Sequence, residues 1–335
     1  MPQHATPRPA HNAKSCKPLV DPAPMTDRRT FLATAAAAAA VPLTAAGQTS
    51  ETTGGAAVRY CLNTATVRGQ SLSISEQIAL AADAGYDGIE PWVRDVDAYR
   101  KTGGSLEDLK TQIADAGLRV ESAIGFATWC VNDDSARAAG LETMRRDMQT
   151  MAAIGGTHIA APPVGMHTGD SGTLDLDAAA ERYAAVLKIG REEGVTPQLE
   201  FWGPSANLFN LSQALYVASA AGDPDACLLP DIYHLFRGGS SFEGLRLLAG
   251  TRVHCFHLND YPAGQPRTDY SDADRVYPGD GVAPVAEVIA GLLASGFDGA
   301  LSLELFNPDY WKQPAADVAA RGLASMKRAV AAARS

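Results

Sequence analysis

Cysteine is scarce. There are five in 335 residues and no Cys-x-x-Cys pair, which argues against a zinc ribbon and against a disulfide-built scaffold. Outside the N-terminal region there is no run of 18 strongly apolar, uncharged residues, which argues against a polytopic membrane protein. Bases are in deficit: 28 Lys and Arg face 38 Asp and Glu, for a net charge of −10. An acidic surface repels a phosphate backbone, so a nucleic-acid partner is not expected. Nor does any cluster of Lys and Arg mark a phosphate site. What remains is ordinary: 46% apolar and 20% charged residues, at a length that allows one large domain or two small ones.

The charge is unevenly spread. Residues 1–46 hold five bases against two acids, which leaves the remainder with 23 bases, 36 acids and a net charge of −13. Within the basic segment lies Thr26-Asp27-Arg28-Arg29-Thr30-Phe31-Leu32, followed by an alanine-rich apolar run to Ala40 and small residues to Ala46. A charged start, a short apolar stretch and small residues near a cleavage point are the parts of an export signal. Paired arginines followed by an apolar residue resemble the twin-arginine signal, which implies export to the periplasm or beyond. The expected organisation is therefore a disordered extension or mis-assigned start over 1–24, with Met25 as the alternative start. A signal follows over 25–46, a Gly/Thr/Ala-rich linker over 47–56, and a single domain over 57–335. No stable membrane insertion is expected after cleavage. Four cysteines then remain, and Cys61 and Cys255 lie in strand-like runs that read as buried thiols.

From residue 57 onward, short β-rich runs alternate with segments of helical periodicity. Strands are expected over 58–63, 87–92, 118–124, 157–161, 196–202, 226–233, 252–259 and 299–305. Helices are expected near 74–84, 105–116, 135–153, 176–193, 210–221, 241–249, 283–295 and 315–333. Gly85, Gly117, Gly194 and Gly296 stand where helices should stop. Eight such units in this length match a (β/α)₈ TIM barrel. The rival is an open doubly wound sheet, but its usual G-x-G-x-x-G turn is absent after the first strand, which runs into Thr64-Ala65-Thr66-Val67-Arg68-Gly69.

A barrel of this kind carries its chemistry at the C-terminal ends of its strands. The last four strands end with Glu200, Asp231, His257 and Glu304. A charge inside an apolar strand is costly unless it is paired or binds metal. Each has a plain alternative: Glu200 as a carboxylate paired with an Arg, Asp231 as an N-cap, His257 as a satisfied core histidine, Glu304 as an edge charge. Four such accidents on successive strands are harder to accept together. Three carboxylates and one imidazole suit one divalent ion, Mn²⁺ first, with Mg²⁺, Co²⁺ or Zn²⁺ as alternatives.

With these residues the sequence resembles the sugar isomerase/epimerase family of xylose isomerase-like TIM barrels, over most of 57–333. In its D-tagatose 3-epimerase-type members a Glu-Asp-His-Glu set holds the metal, and here those positions are Glu200, Asp231, His257 and Glu304. The family's Asp-x-x-His appears as Asp231-Ile232-Tyr233-His234. Its Arg-x-x-Pro-Gly-x-Gly appears as Arg275-Val276-Tyr277-Pro278-Gly279-Asp280-Gly281. The resemblance implies that Glu200 and Glu304 bind metal and also move protons, through a cis-enediolate of a keto-sugar or related polyol. It further implies that His234 and Arg275 contact substrate oxygens. Glu90, Trp129 and Trp202 are further substrate-contact candidates, with Phe126, His167 and Phe306 beside them.

Two departures put ketohexose specificity in doubt. Where those epimerases place another Glu, this chain has Ala206, and the segment from His257 to Arg275 is longer. The expected substrate is a neutral, non-phosphorylated sugar or polyol, and the oligomeric state is left open. The alternatives are an inosose dehydratase-like lyase on the same site and a non-catalytic sugar-binding protein. A nuclease branch of the fold uses three zinc ions and many more His and carboxylate ligands, and is disfavoured here by seven histidines in all and a net charge of −13 after residue 46.

Overall fold

The computed structural model describes residues 58–335. The expected extension, signal and linker lie outside the described residues. Eight strands appear in the expected order, all shorter than their β-rich runs. They are β1 (Arg59–Asn63), β2 (Gly88–Glu90), β3 (Arg119–Val120), β4 (His158–Ala161), β5 (Thr196–Glu200), β6 (Leu228–Leu229), β7 (Cys255–Leu258) and β8 (Ala300–Leu303). Every ladder is parallel. One sheet runs β3-β2-β1-β8-β7 and the other β4-β5-β6. A parallel bridge from Leu228 to Val253 joins β6 to the start of β7, and Ala160 N–H donates to Ala123 O at 2.8 Å across the other seam. The sheet therefore closes on itself as a (β/α)₈ barrel, as expected.

The helices are α1 (Ile74–Ala84), α2 (Val93–Lys101), α3 (Leu106–Asp115), α4 (Asp134–Ala153), α5 (Leu176–Glu193), α6 (Leu211–Ala220), α7 (Ile232–Arg237), α8 (Val285–Ala294) and α9 (Ala315–Ala333). Local chemistry explains their limits. Ser73 and Glu76 form a reciprocal capping box at the start of α1, and Gly85 ends it at φ 87°. Gly194 does the same for α5 at φ 74°. The run expected as a helix near 241–249 is instead a 3₁₀ turn, Phe242–Leu247. Gly244 weakens its middle, and Gly250 must pass so close to Phe297 N that a Cβ would come within 2.2 Å. Sequence periodicity missed α2 and α7, both short helices that begin right at a strand end.

The strand interiors and the inner helix faces share one continuous apolar core. All four cysteines in the described residues, Cys61, Cys130, Cys227 and Cys255, are buried free thiols. Among the described residues no helix is long and apolar enough to cross a membrane.

Candidate metal and substrate site

The carboxyl ends of β5 to β8 converge. Glu200 is the last residue of β5, His257 lies in β7, and Glu304 follows β8. Asp231 directly precedes α7 and caps it, its Oδ1 accepting from His234 N–H at 2.9 Å. Its other oxygen, Oδ2, accepts from Asn259 Nδ2 at 3.0 Å and from Arg275 Nη1 at 2.8 Å. Asp231 thus caps the helix with one oxygen and faces Arg275 and His257 with the other.

Asp231, His257 and Glu304 each put one donor atom within 4.8 Å of the others, and all are buried. His257 Nδ1 lies 3.2 Å from Glu304 Oε2 and 3.7 Å from Asp231 Oδ2, yet it has no hydrogen-bond partner. A buried imidazole nitrogen left without a partner between two carboxylates fits a bound divalent cation. Glu200 lines the same cavity but stands outside that tight group of three.

Arg275 offsets part of the negative charge. It is fully buried, with Nη1 2.8 Å from both Asp231 and Glu304, and Nη2 2.6 Å from Asp272. Burial works against its charge, but Asp231, Asp272 and Glu304 raise its pKa further still. The motif from Arg275 to Gly281 owes its glycines to Asp260. That carboxylate accepts the N–H groups of Tyr261, Gly279, Gly281 and Ala283 at 2.8–3.0 Å. A Cβ on Gly281 would meet Asp260 Oδ1 at 2.4 Å, and Gly279 holds φ 85°. Val276 pairs with Asp260 in both directions across the backbone, which sets where Arg275 begins.

The environment pushes the titrating groups apart. Burial raises the pKa of Glu200 to about 8, and the Glu304 and Asp231 charges add to this against His257. Burial also lowers His234 to about 3, helped by Arg275, so its ring is neutral. His234 Nδ1 lies 3.2 Å from the Gly203 N–H and Nε2 3.3 Å from Arg275 Nη2, and the neutral ring accepts through one of the two. His257 is disfavoured as a cation by burial, but the Glu304 and Glu90 carboxylates outweigh that and raise its pKa.

Above this layer is a cavity of about 300 Å³ whose walls are largely aromatic. Trp92, Phe126, Trp202 and Phe306 line it, with Trp92 and Phe126 centroids 5.0 Å apart and Trp92 and Phe306 6.1 Å apart. A larger cavity of about 570 Å³ opens among Arg119, His158 and His254, at the opposite ends of the strands. Glu200 and Glu304 line the smaller one, with His234 and Arg275.

A model of the xylose isomerase-like TIM barrel matches residues 78–329. The chain belongs to that family. It is 25% identical to an inosose isomerase of Bacillus velezensis over 259 residues, 76% of this chain and 91% of the relative. It is 28% identical to a 3-dehydroshikimate dehydratase of Pseudomonas aeruginosa over 266 residues, 76% of this chain but 39% of that longer relative. A crystal structure of the IOLI protein with a bound zinc atom shares the fold at TM-score 0.76 and 22% identity. It covers 82% of this chain and 98% of that one.

Within this xylose isomerase-like barrel, most of the expected site residues meet at one cavity. Glu200, His234, Arg275, Glu304 and Trp202 line it, as do Phe126, His167 and Phe306. Two expectations need correction. Trp129 is fully buried away from the cavity, its indole N–H donating to Pro162 O at 2.8 Å and its ring tilted against Tyr183. It is a packing residue, because its side chain points outward to the helices. Glu90 lies beneath the cavity and does not line it. Its carboxylate accepts from Ser302, Asn63 and the His257 ring. Burial opposes its charge, but His257, Ser302 and Asn63 more than compensate and lower its pKa. Trp92, two residues past Glu90 at the end of β2, lines the cavity, and so does Asp272, from a short 3₁₀ turn that no local spacing marks.

Proposed function

We propose that this protein is a divalent-metal-dependent enzyme that removes and returns a proton next to the carbonyl of a small polyhydroxy ketone. One observation carries the reading. Asp231, His257 and Glu304 converge around a buried, unpartnered imidazole nitrogen, and Glu200 faces the same cavity. Asp231, His257, Glu304 and Glu200 would hold the ion. The ion supplies polarisation of the ketone, which acidifies the adjacent C–H.

The rest falls to the chain's own residues. Glu200, whose carboxylate lines the cavity across from Glu304, is placed to pass a proton to or from a bound ketone. Glu304, held by Arg275 and by Asn63 Nδ2 at 3.1 Å, is suited to take one. Return of the proton to the opposite face gives epimerisation, and its return to the neighbouring carbon gives isomerisation. His234 lines the cavity where it can hydrogen-bond a substrate oxygen, and Arg275 supports negative charge as it develops on oxygen. The aromatic walls exclude water and offer flat faces to a sugar or polyol ring.

A dehydratase acting on the same proton abstraction is the second reading. It is favoured by the likeness to the Pseudomonas aeruginosa 3-dehydroshikimate dehydratase. Incubation with inososes and keto-sugars in deuterated water with Mn²⁺ tests both. Deuterium incorporation without loss of water supports isomerase or epimerase, and loss of water supports the lyase. No exchange in any ketone would overturn the proposal. We also propose export by the twin-arginine route, from Arg28-Arg29 and the apolar run after them, leaving one catalytic domain over 57–335. Replacing both arginines by lysine should retain the protein in the cytoplasm, and unchanged export would refute the route.

A further inference from the structure

We infer that the substrate carries a carboxylate, taken at the cavity rim by Arg68; this rests on reading the site as one that acts beside a ketone. Arg68 belongs to the 3₁₀ segment Thr64–Gln70 that follows β1. Its guanidinium carbon lies 4.8 Å from the Trp92 ring centroid, 5.0 Å from that of Phe306 and 5.3 Å from that of Trp311. Trp92 and Phe306 are cavity walls.

Among the described residues, the Arg68 side chain has neither a hydrogen bond nor an ion pair. A guanidinium offers five N–H donors in a fork that matches a carboxylate. Three rings satisfy its faces, but none satisfies its edge. Arg275 differs: its Nη atoms are already taken by Asp231, Glu304 and Asp272. Of these two guanidiniums, only Arg68, packed against the cavity walls Trp92 and Phe306, can accept a new anion without breaking an existing pair.

The position of Arg68 is set by packing. A Cβ on the next residue, Gly69, would fall 2.1 Å from Trp311 Cβ, so glycine alone lets the two loops meet. Trp311 Nε1–H donates to Ala65 O at 3.3 Å, and Gln70 Nε2 donates to Tyr310 O and Gln313 O at 3.0 and 3.1 Å. The loop after β1 is thereby stapled to the loop after β8, and the guanidinium is held in advance of any ligand.

The spacing fits. Arg68 and Arg275 flank the same Phe306 ring, each with its guanidinium carbon 5.0 Å from the centroid. They are therefore no farther apart than twice that distance. Arg275 in turn touches Asp231 and Glu304. A ring with a ketone at the ion site and a carboxylate on its far side spans such a gap, with its face along Trp92 and Phe306. Recognition of an anion here also adds discrimination that aromatic walls lack.

The test uses the full-length, Mn²⁺-loaded protein and a probe without a ketone, so that no turnover intervenes. Calorimetric titration with shikimate and with its methyl ester should show the acid binding roughly 10- to 100-fold more tightly, the range of a charge-assisted paired contact. R68M keeps the aliphatic stem against the rings and should abolish that preference, with little change for the ester. R68K, which keeps the charge but not the fork, should recover part of it. An acid-to-ester ratio that is near one, or that is unchanged in R68M, overturns the inference. If R68M is unstable, R68Q and R68K carry the same comparison. Deuterium exchange separates this from the reading it rests on. Exchange in ketones, together with an acid-to-ester ratio that R68M leaves unchanged, keeps that reading standing and removes Arg68. Arg68-dependent binding of shikimate with no exchange in any ketone does the reverse.

Discussion

Glu90 holds His257 from below: both of its carboxylate oxygens lie within 3.2 Å of the imidazole Nε2, the shorter contact being 3.0 Å. The opposite nitrogen, Nδ1, is the one without a partner that faces Asp231 and Glu304. Ser302 Oγ at 2.6 Å and Asn63 Nδ2 at 2.9 Å fix Glu90 in turn. Glu90 therefore sets the orientation of a ring that the ion site needs. Supporting carboxylates of this kind are typically worth 10- to 100-fold in metal affinity. Glu90→Gln should weaken Mn²⁺ binding by roughly that factor, with the fold retained by circular dichroism. Unchanged affinity in a metal titration would show that His257 needs no such support.

Glu304 sits between Arg275 Nη1 and Asn63 Nδ2, facing the cavity. Glu304→Gln keeps the shape and removes the base. Deuterium exchange into a ketone substrate should fall by about 10²- to 10⁴-fold, the usual worth of a general base. Metal binding should be weakened but not lost. Full exchange in this variant would assign the proton transfer to another group.

Glu200 predicts a pH dependence. In the folded, ion-free protein its pKa is raised from 4.5 to about 8 by burial, with the Glu304 and Asp231 charges adding. The unfolded chain releases this proton near 4.5, so between the two values the folded state binds more protons. Its contribution is thus favourable at low pH and is lost as pH rises toward about 8. A divalent ion takes the place of the proton and removes the penalty. The gain in Tm on adding Mn²⁺ should therefore be larger at about pH 8.5 than at about pH 6. An equal gain at both, by calorimetry, would contradict this role for Glu200.

Asp260 supports four backbone N–H groups and, through Val276, the start of the Arg275 segment. Asp260→Ala removes a buried acceptor and leaves those donors, in a partly exposed turn, without it. A loss of roughly 2–4 kcal/mol in urea unfolding is expected, since each unsatisfied buried group costs on the order of 1 kcal/mol or more. A loss below about 1 kcal/mol would mean that water or relaxation replaces the carboxylate.

Trp129 and Trp202 should behave oppositely. Trp129→Phe gives up the bond to Pro162 O inside the core and should cost about 1–2 kcal/mol of stability with KM unchanged. Trp202 lines the cavity, edge-on to His167 at 5.4 Å. Trp202→Ala should raise KM several-fold, with a smaller effect on stability. The reverse pattern in steady-state kinetics and thermal melts would return Trp129 to the site.

The sequence alone determined the strand–helix alternation, the helix stops at Gly85 and Gly194, and the chemistry at the ends of the last four strands. These are legible because apolar periodicity and left-handed glycine are local properties, and because a charge inside an apolar run stands out wherever it occurs. Only the tertiary structure decided where side chains point. Glu90 and Trp129 looked alike as residues at or after strand ends. Yet barrel closure turned Glu90 inward beneath His257, and packing turned Trp129 outward against Tyr183. Arg68 shows the same limit from the other side. Nothing near it in the chain marks it, and it packs on the cavity walls Trp92 and Phe306 because Gly69 and Trp311, 242 positions apart in the sequence, press two loops together. Local pattern is set by neighbours in the chain, whereas a site is set by neighbours across the barrel, and those exist only once the sheet has closed.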